Sequence, residues 1–530
     1  MRYYNLLFFL IVSIVGNTQF NLTWVGGSNM CNAIGNYGTQ GMSATTNQPG
    51  ARQNAASWTG ADNSLWLFGG QGYNASTNQG YLADLWKFDC TNQTWTWVSG
   101  TSNIGFQGNY QSLGTASSSA LPAARQNASS WIGNDGCLYI FGGQKSLNNN
   151  LNDLWKFNPS TSQWTWMGGS STTNAQGTYG VLGQATSNTI PPARYGALFW
   201  KDGAGKFWLF GGQCYDGTNT HRLNDMWCFD PQTTEWTWVS GSNQYDNNGV
   251  YGTQNSEASA NIPGARQAST TWTDTNGNLW LFGGYGYPAT GVSGYLSDVW
   301  KYNISTSKWT WIAGTNVIGS YADYGTVGVE TASNHPGARQ MSIGFTKDDG
   351  RFGLMGGWGY VSLNNFGRLN DIWTFNPSTG NWTWEAGQNH QDPLANYGVL
   401  NTTASSNISG GRRMANCWQS GDSVWFFGGN AIDAQDSVGV MNDIWKMEWN
   451  NPTNAIGTIE QGGLLSPNPA SNYILLPANT SLDHFEISDL NGRKITQFKV
   501  ENGCKITFEG LTKGMYFIQT KANMYRFIVE

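Results

Sequence analysis

Eight side chains stand in stretches of this chain that fail to repeat: Tyr73, Tyr215, His221, Arg222, Tyr287, Trp358, Tyr360 and Arg368. Aromatic faces beside guanidinium and imidazole donors suit the apolar and hydroxyl-bearing sides of a sugar ring, so a glycan or a surface protein is the expected ligand. The same stretches carry Asp216, Asp433 and Asp436. Two such carboxylates drawn from different repeats are what glycosidic hydrolysis requires. A second set of charges does recur. Six arginines (Arg52, Arg125, Arg194, Arg266, Arg339 and Arg412) and six aspartates (Asp84, Asp153, Asp225, Asp298, Asp371 and Asp443) return along the chain. Unpaired, the arginines would take a carboxylate or sulfate group. Paired with the aspartates they form a structural repeat, and that pairing is expected. Seven cysteines occur without a CxxC, although Cys214 and Cys228 are placed to bridge neighbouring strands. His221, His335, His390 and His484 show no ligand-like spacing, so neither metal nor cofactor is expected. No GxSxG, HExxH or phosphate-cradling loop is present.

The elements that must position these residues repeat. A Gly-Gly pair after an apolar run begins at Gly69, Gly142, Gly211, Gly283, Gly356 and Gly428, at intervals of 69 to 73 residues. One of the arginines precedes each pair, and an Asp–apolar–Trp segment follows it. Each unit reads as four short strands. The first follows the arginine ("RQNAASW"), the second ends in the double glycine ("LWLFGG"), the third is "DLWKF" and the fourth "WTWV". Four antiparallel strands repeated six times predict a propeller, with the arginines opening the innermost strands. The sixth unit lacks a fourth strand. The segment "NLTWVGGSN" at 21–29 matches it, with Trp24 in the second Trp position, so the N-terminal strand is expected to close the ring. From that Trp to a loop tyrosine is always 13 residues, Trp24 to Tyr37 through Trp384 to Tyr397, and from the tyrosine to the next arginine always 15. A loop of such constant length is expected to be ordered. Of 28 tryptophans, all but Trp358 and Trp449 fall at recurring positions, which assigns them to packing between units. Because strands alternate in direction, the arginine, the double glycine, the aspartate and the variable second-to-third-strand loops fall on one face.

Double glycine, Asp–apolar–Trp and a Trp-bearing strand together resemble the Kelch repeat of the galactose oxidase/Kelch superfamily, over roughly residues 20–449. The units are about twenty residues longer than the roughly fifty of a Kelch repeat. The resemblance brings copper radical oxidases and sialic-acid mutarotases into view as relatives. A copper oxidase of that kind needs two His and two Tyr ligands, and the histidines here sit in different units. After Trp449 the composition changes to a polar linker, "NNPTNAIGTIEQGG", followed by short alternating strands and the hairpin signal "LNGR". "LSPNPASN", "ISDLNGR" and "LTKGMYFI" together resemble the C-terminal sorting domain of the type IX secretion system. That resemblance implies a Bacteroidota-type outer membrane, contact with the secretion machinery, and display on the cell surface or release.

Composition agrees with an exported all-β chain. Of the 530 residues, 11% are charged, 14% are aromatic and 69 are glycine, with a net charge of −6. No basic stripe exists to neutralise phosphates, so no nucleic acid partner is expected. Arg2 and the apolar run Leu6 to Val15 form a signal peptide pattern with cleavage after Thr18. No transmembrane segment is expected. The predicted fold class is all-β: a signal peptide at 1–18, a six-bladed Kelch-type β-propeller closed by the N-terminal strand at 19–449, a linker at 450–463 and a small C-terminal β-sandwich, the sorting domain, at 464–530. The first functional reading is a non-catalytic secreted or cell-surface module binding glycan or protein through the loop face. Its rival is an extracellular carbohydrate-active enzyme (hydrolase, mutarotase or oxidase-like) using the same face.

Overall fold

A computed structural model of the chain describes residues 20–421 and 423–449 and, beyond them, 473–475, 485–489, 494–495, 498–501, 505–508, 511, 513–520 and 524–529. Every regular element among these residues is a β-strand, and the strands pair antiparallel. The chain divides into two compact units, Met1–Trp449 and Asn450–Glu530. The signal peptide pattern and the linker lie outside the described residues.

In the first compact unit the second repeat shows the pattern. Its strands Ser129–Ile132, Leu138–Ser146, Asn149–Asn158 and Gln163–Gly168 pair in chain order. Both faces of such a sheet are buried, because each packs on a neighbouring sheet. Ile140, Trp155 and Phe157 meet Trp58 and Phe68 of the first repeat, whereas Tyr139 and Phe141 meet Phe207 and Trp236 of the third. Two buried faces explain why large rings recur on alternate positions of every strand.

The second strand does not end at the double glycine. It runs on as Phe207–Tyr215 in the third repeat and Phe352–Ser362 in the fifth, with a register shift across the glycines. The cause is a bulge: Gly211 and Gly212 have φ of 63° and 97°, where L side chains are strained. The first glycine also permits close approach. A Cβ there would lie 2.6 to 2.9 Å from the carbonyl oxygen of the next repeat's arginine, at Gly69, Gly142, Gly211, Gly283, Gly356 and, against Arg52, Gly428.

Two residues beyond each arginine the backbone turns left-handed, at Asn54, Asn127, Gly196, Ala268, Met341 and Met414, with φ between 52° and 65°. Their amides bond to one another from repeat to repeat. Asn127 donates to Asn54, Gly196 to Asn127, Ala268 to Gly196, Met341 to Ala268 and Met414 to Met341, at 2.8 to 3.2 Å, and Asn54 donates to Met414 at 3.0 Å. A cavity of about 260 Å³ is lined by these residues together with Ser57, Ser130, Phe199, Thr271, Gly344 and Cys417, one from each repeat. Tryptophan N–H groups add further links between repeats: Trp58 to Tyr139, Trp200 to Trp280, Trp272 to Gly353 and Trp418 to Trp66, all to backbone carbonyls at 2.9 to 3.1 Å.

Phe20–Gly26 pairs with Val438–Trp449 of the sixth repeat, placing Trp24 opposite Trp445 as Trp97 lies opposite Trp86. The loops of constant length are ordered and cross to the following repeat. Ser43–Ala44, Ala116–Ser117 and Ala185–Thr186 each pair with the outer side of a fourth strand, while Ala258, Thr331 and Ala404 form single bridges to Trp309, Trp382 and Leu22. The extra twenty residues therefore cover a sheet edge that would otherwise stand open.

Cys214 and Cys228 do not bridge. Cys214 lies opposite His221 and Cys228 opposite Trp208, several residues apart along the same strand pair, and burial pushes both thiols up to about 12.

The second compact unit contains two antiparallel sheets, one of Tyr473–Leu475, Lys505–Phe508 and Phe498–Glu501, the other of Lys494–Ile495, Phe485–Asp489, Gly514–Thr520 and Met524–Val529. Ile474, Ile506 and Phe508 from the first share a core with Ile487, Tyr516 and Ile518 from the second. The "LNGR" turn lies outside the described residues, but the strands on either side of it pair, Ser488 with Lys494.

Candidate functional site

The six recurring arginines are at most 1% exposed and the six aspartates 0%. In the first repeat Arg52 Nη1 and Nη2 donate to the two Asp84 carboxylate oxygens at 2.7 and 2.8 Å, Nη1 also to the Gly69 carbonyl and Nε to the Gly50 carbonyl. The Asp84 Oδ2 atom accepts two further bonds, from Tyr37 at 2.6 Å and Trp86 Nε1 at 2.8 Å. The other repeats build the same pair, with shortest N–O distances of 2.7 to 2.8 Å, and with Tyr110, Tyr179, Tyr251, Tyr324 and Tyr397 in the place of Tyr37. Burial raises the Asp84 carboxyl, and the Arg52 charge outweighs it, so Asp84 titrates below the ordinary carboxylate range. Burial, reinforced by the Asp84 charge, holds the Tyr37 phenol far above its usual value. Fully buried and bonded to their own aspartates and to backbone carbonyls, these guanidiniums face no external anion.

Beside each buried pair the three inner strands present a row of three residues. One follows the arginine, one lies two beyond the first glycine, and one lies three before the aspartate. The rows are Gln53, Gln71 and Tyr81; Gln126, Gln144 and Asn150; Tyr195, Gln213 and Arg222; Gln267, Tyr285 and Tyr295; Gln340, Trp358 and Arg368; Arg413, Asn430 and Val440. Repeats one and two supply mostly amides. Repeats three to six supply rings and guanidiniums, and these touch. The Arg222 guanidinium lies 4.5 Å over the Tyr285 ring, and Tyr285 meets Tyr295 edge-on at 5.0 Å. Tyr295 reaches Phe366 at 4.9 Å and Tyr360 at 5.9 Å, and Phe366 meets Trp358 at 5.2 Å. The Arg413 guanidinium then covers the Trp358 face at 4.2 Å, with Arg368 at 5.3 Å. Tyr285, Tyr295, Trp358, Tyr360, Arg222 and Arg413 are all half-buried.

Of the sequence candidates, this cluster gathers Arg222, Trp358, Tyr360 and Arg368. Arg368 is 9% exposed and paired with Asp392 at 3.0 Å, and its Nε donates to Asn430. His221 stands next to the cluster with both ring nitrogens engaged, Nδ1 with Asp246 at 2.7 Å and Nε2 with Asp216 at 3.1 Å, stacked on Tyr245. The Tyr215 hydroxyl donates to the Gly217 carbonyl within its own loop. Tyr287 is lifted by burial and by the Asp246 charge. Tyr73 ends Gln71–Tyr73 in the first repeat, whereas the cluster is built from repeats three to six. The candidate acids are spent on backbone. Asp433 is fully buried and accepts from Gln435, Ser437 and Cys31 at 2.8 to 3.0 Å; Asp216 accepts from Thr218 and Asn219 at 2.7 Å; Asp436 sits in a turn at φ 61°. Sequence reasoning missed Tyr285, Tyr295, Phe366 and Arg413. Counting backward three residues from each aspartate, instead of forward from the glycines, restores a constant register and finds Tyr295. The doubled "RR" where five repeats have Gln or Tyr after the arginine marks Arg413.

No curated protein matches the chain. The family model described as KLHDC2/KLHL20/DRC7 Kelch-repeats domain matches three times, over residues 33–179, 115–248 and 184–399. The model of the Secretion system C-terminal sorting domain matches residues 465–530. That tail marks the protein as secreted or cell-surface by the type IX route and implies contact with the secretion machinery. The Kelch matches run from residue 33 to 399, more than half of the chain, over the repeats whose double glycines, buried Arg–Asp pairs and Trp-bearing strands have been described: the chain belongs to the Kelch-repeat family.

Proposed function

We propose that this is a secreted or cell-surface binding module: a six-bladed Kelch β-propeller at 19–449, closed by Phe20–Gly26, that holds a glycan or protein ligand on its loop face without turning it over. The ring is supported by the amide bonds that pass through six repeats and return from Met414 to Asn54, and by Trp24 occupying in the sixth repeat the place of Trp97 in the first. The signal peptide at 1–18 and the sorting domain at 464–530 serve export.

The observation that carries the binding reading is the half-buried band of Tyr285, Tyr295, Phe366 and Trp358 between two guanidiniums, where the rows of the first two repeats are mostly amides. Neighbouring rings a few ångströms apart offer a platform for stacking, and the flanking amides and arginines offer directional donors. The test is a glycan array and a surface-protein screen with the full chain, followed by reducing-sugar assays on every hit. Binding without turnover, lost in Trp358→Ala and Tyr360→Ala, is expected. Turnover abolished by a single change at Asp216 or Asp436 moves the protein to the carbohydrate-active enzymes. Binding that survives substitution across the whole band ends the loop-face reading.

A further inference from the structure

The six rows hold eighteen side chains and their composition is one-sided. Among them are three arginines and no aspartate or glutamate, in a chain whose net charge is −6. Arg368 has Asp392, but Arg222 and Arg413 make no ion pair among the described residues. Each instead lies over a ring of an adjacent repeat, Arg222 at 4.5 Å from the Tyr285 ring centre and Arg413 at 4.2 Å from that of Trp358. A guanidinium held over a ring by cation–π attraction does not spend its N–H donors on an ion pair, so they can take a carboxylate or sulfate through two parallel bonds. Burial and the neighbouring Arg368 charge both push Arg413 below its ordinary value, a field that an incoming anion relieves. Between the two arginines runs the uninterrupted series Tyr285, Tyr295, Phe366 and Trp358.

Resting on the loop-face reading, we infer that this band binds an anionic saccharide, its sugar rings packed along the Tyr285, Tyr295, Phe366 and Trp358 series and its carboxylate or sulfate groups held by Arg413 and Arg222. A saccharide fits better than an acidic peptide for two reasons. The charges are separated by flat rings, which match the C–H faces of pyranoses. The rest of the ring of rows is dominated by amides (Gln53, Gln71, Gln126, Gln144, Gln213), which pair donor-and-acceptor with hydroxyls and carry no charge. The recurring arginines take no part, since their aspartates already hold them.

The experiment measures binding of the full chain to oligogalacturonate (carboxylated), a heparin-derived octasaccharide (sulfated), cellohexaose (neutral) and poly-glutamate. One or both anionic saccharides are expected to bind, and to weaken as salt rises from about 50 to about 500 mM. Arg413→Gln and Arg222→Gln are each expected to weaken that binding by about tenfold or more, Arg413→Lys by less, and Tyr295→Leu by a similar factor. An unchanged thermal midpoint establishes that the variants fold, and the Lys variant serves if the Gln variant does not. Cellohexaose binding lost in Trp358→Ala but indifferent to both arginines leaves the loop-face reading standing and overturns the anionic assignment. Poly-glutamate binding as tightly as the saccharides and indifferent to Tyr295→Leu replaces the saccharide with an acidic protein. Failure of every probe overturns the anionic assignment, and the loop-face reading is then decided by the glycan array and the surface-protein screen.

Discussion

At the scale of single residues, burial decides which charges are structural. Arg52 and Asp84 are 0% exposed, and removing one partner leaves the other charged and dry. Asp84→Asn is therefore expected to cost about 3–5 kcal/mol, and Tyr37→Phe, which removes one donor of several, about 1–2 kcal/mol, both read by denaturant unfolding. His221 behaves differently because it is partly solvated. Burial opposes its charge, yet Asp246 and Asp216 outweigh burial, so its pKa is raised. Its contribution to stability is complete below the unfolded value of about 6.5 and is lost as pH rises through the higher folded value. The imidazole is expected to titrate above about 6.5 by NMR and to fall back in Asp246→Asn. The difference in stability between the native chain and His221→Gln is expected to shrink as the medium turns alkaline. From the sequence His221 reads as a ligand contact. Its two carboxylate partners lie 5 and 25 residues away, and only the folded loop brings them to opposite sides of one ring.

At the scale of elements, the repeat was legible because selection for the same packing leaves the same letters. The double glycine, the Asp–apolar–Trp and the Trp pair each answer a local steric or hydrogen-bonding demand, and the same Trp spacing marks the segment around Trp24 as a fourth strand. The row that carries the candidate site was legible only in part. Its positions are constant but its residues vary, and the loops between glycine and aspartate differ in length, so Trp358 and Arg222 stood out while Tyr295 and Arg413 did not. The left-handed ring residues were not legible either. Asn54, Asn127 and Gly196 suit positive φ, but Ala268, Met341 and Met414 hide the requirement. An L side chain in that region costs roughly 1–2 kcal/mol, and asparagine tolerates it. Ala268→Asn is therefore expected to stabilise the protein by about 0.5–1 kcal/mol in thermal unfolding. Phe20–Gly26 makes the complementary case. Leu22, 6% exposed, packs with Met441 and Trp445 and accepts the Asn407 amide on its carbonyl. Leu22→Ala is expected to cost about 2–4 kcal/mol, although it lies more than 400 residues from the strand it pairs with.

At the scale of the whole first compact unit, the distinction that matters is between a line of repeats and a ring of them. In a line each repeat leans only on its neighbours, stability is a sum of local terms, and the ends fray first. Here the amide bonds, the glycine approaches and the tryptophan donors all continue from the sixth repeat to the first, at Asn54 to Met414, Gly428 to Arg52 and Trp418 to Trp66. The proposed six-bladed ring would have no end at which to fray, so damage to one blade would be felt by all. Leu209, 0% exposed in the third repeat, is a suitable place to cause it. Leu209→Ala is expected to lower the protection of strand amides by about 2–4 kcal/mol in native-state hydrogen exchange, and by the same amount in the first, third and sixth repeats. Deleting residues 20–26 in the same background removes the strand that pairs with Val438–Trp449, and the loss should then grade with distance from Leu209. Protection lost only in the second to fourth repeats of the intact chain would mean the repeats act as a line, and the closed propeller would have to be given up.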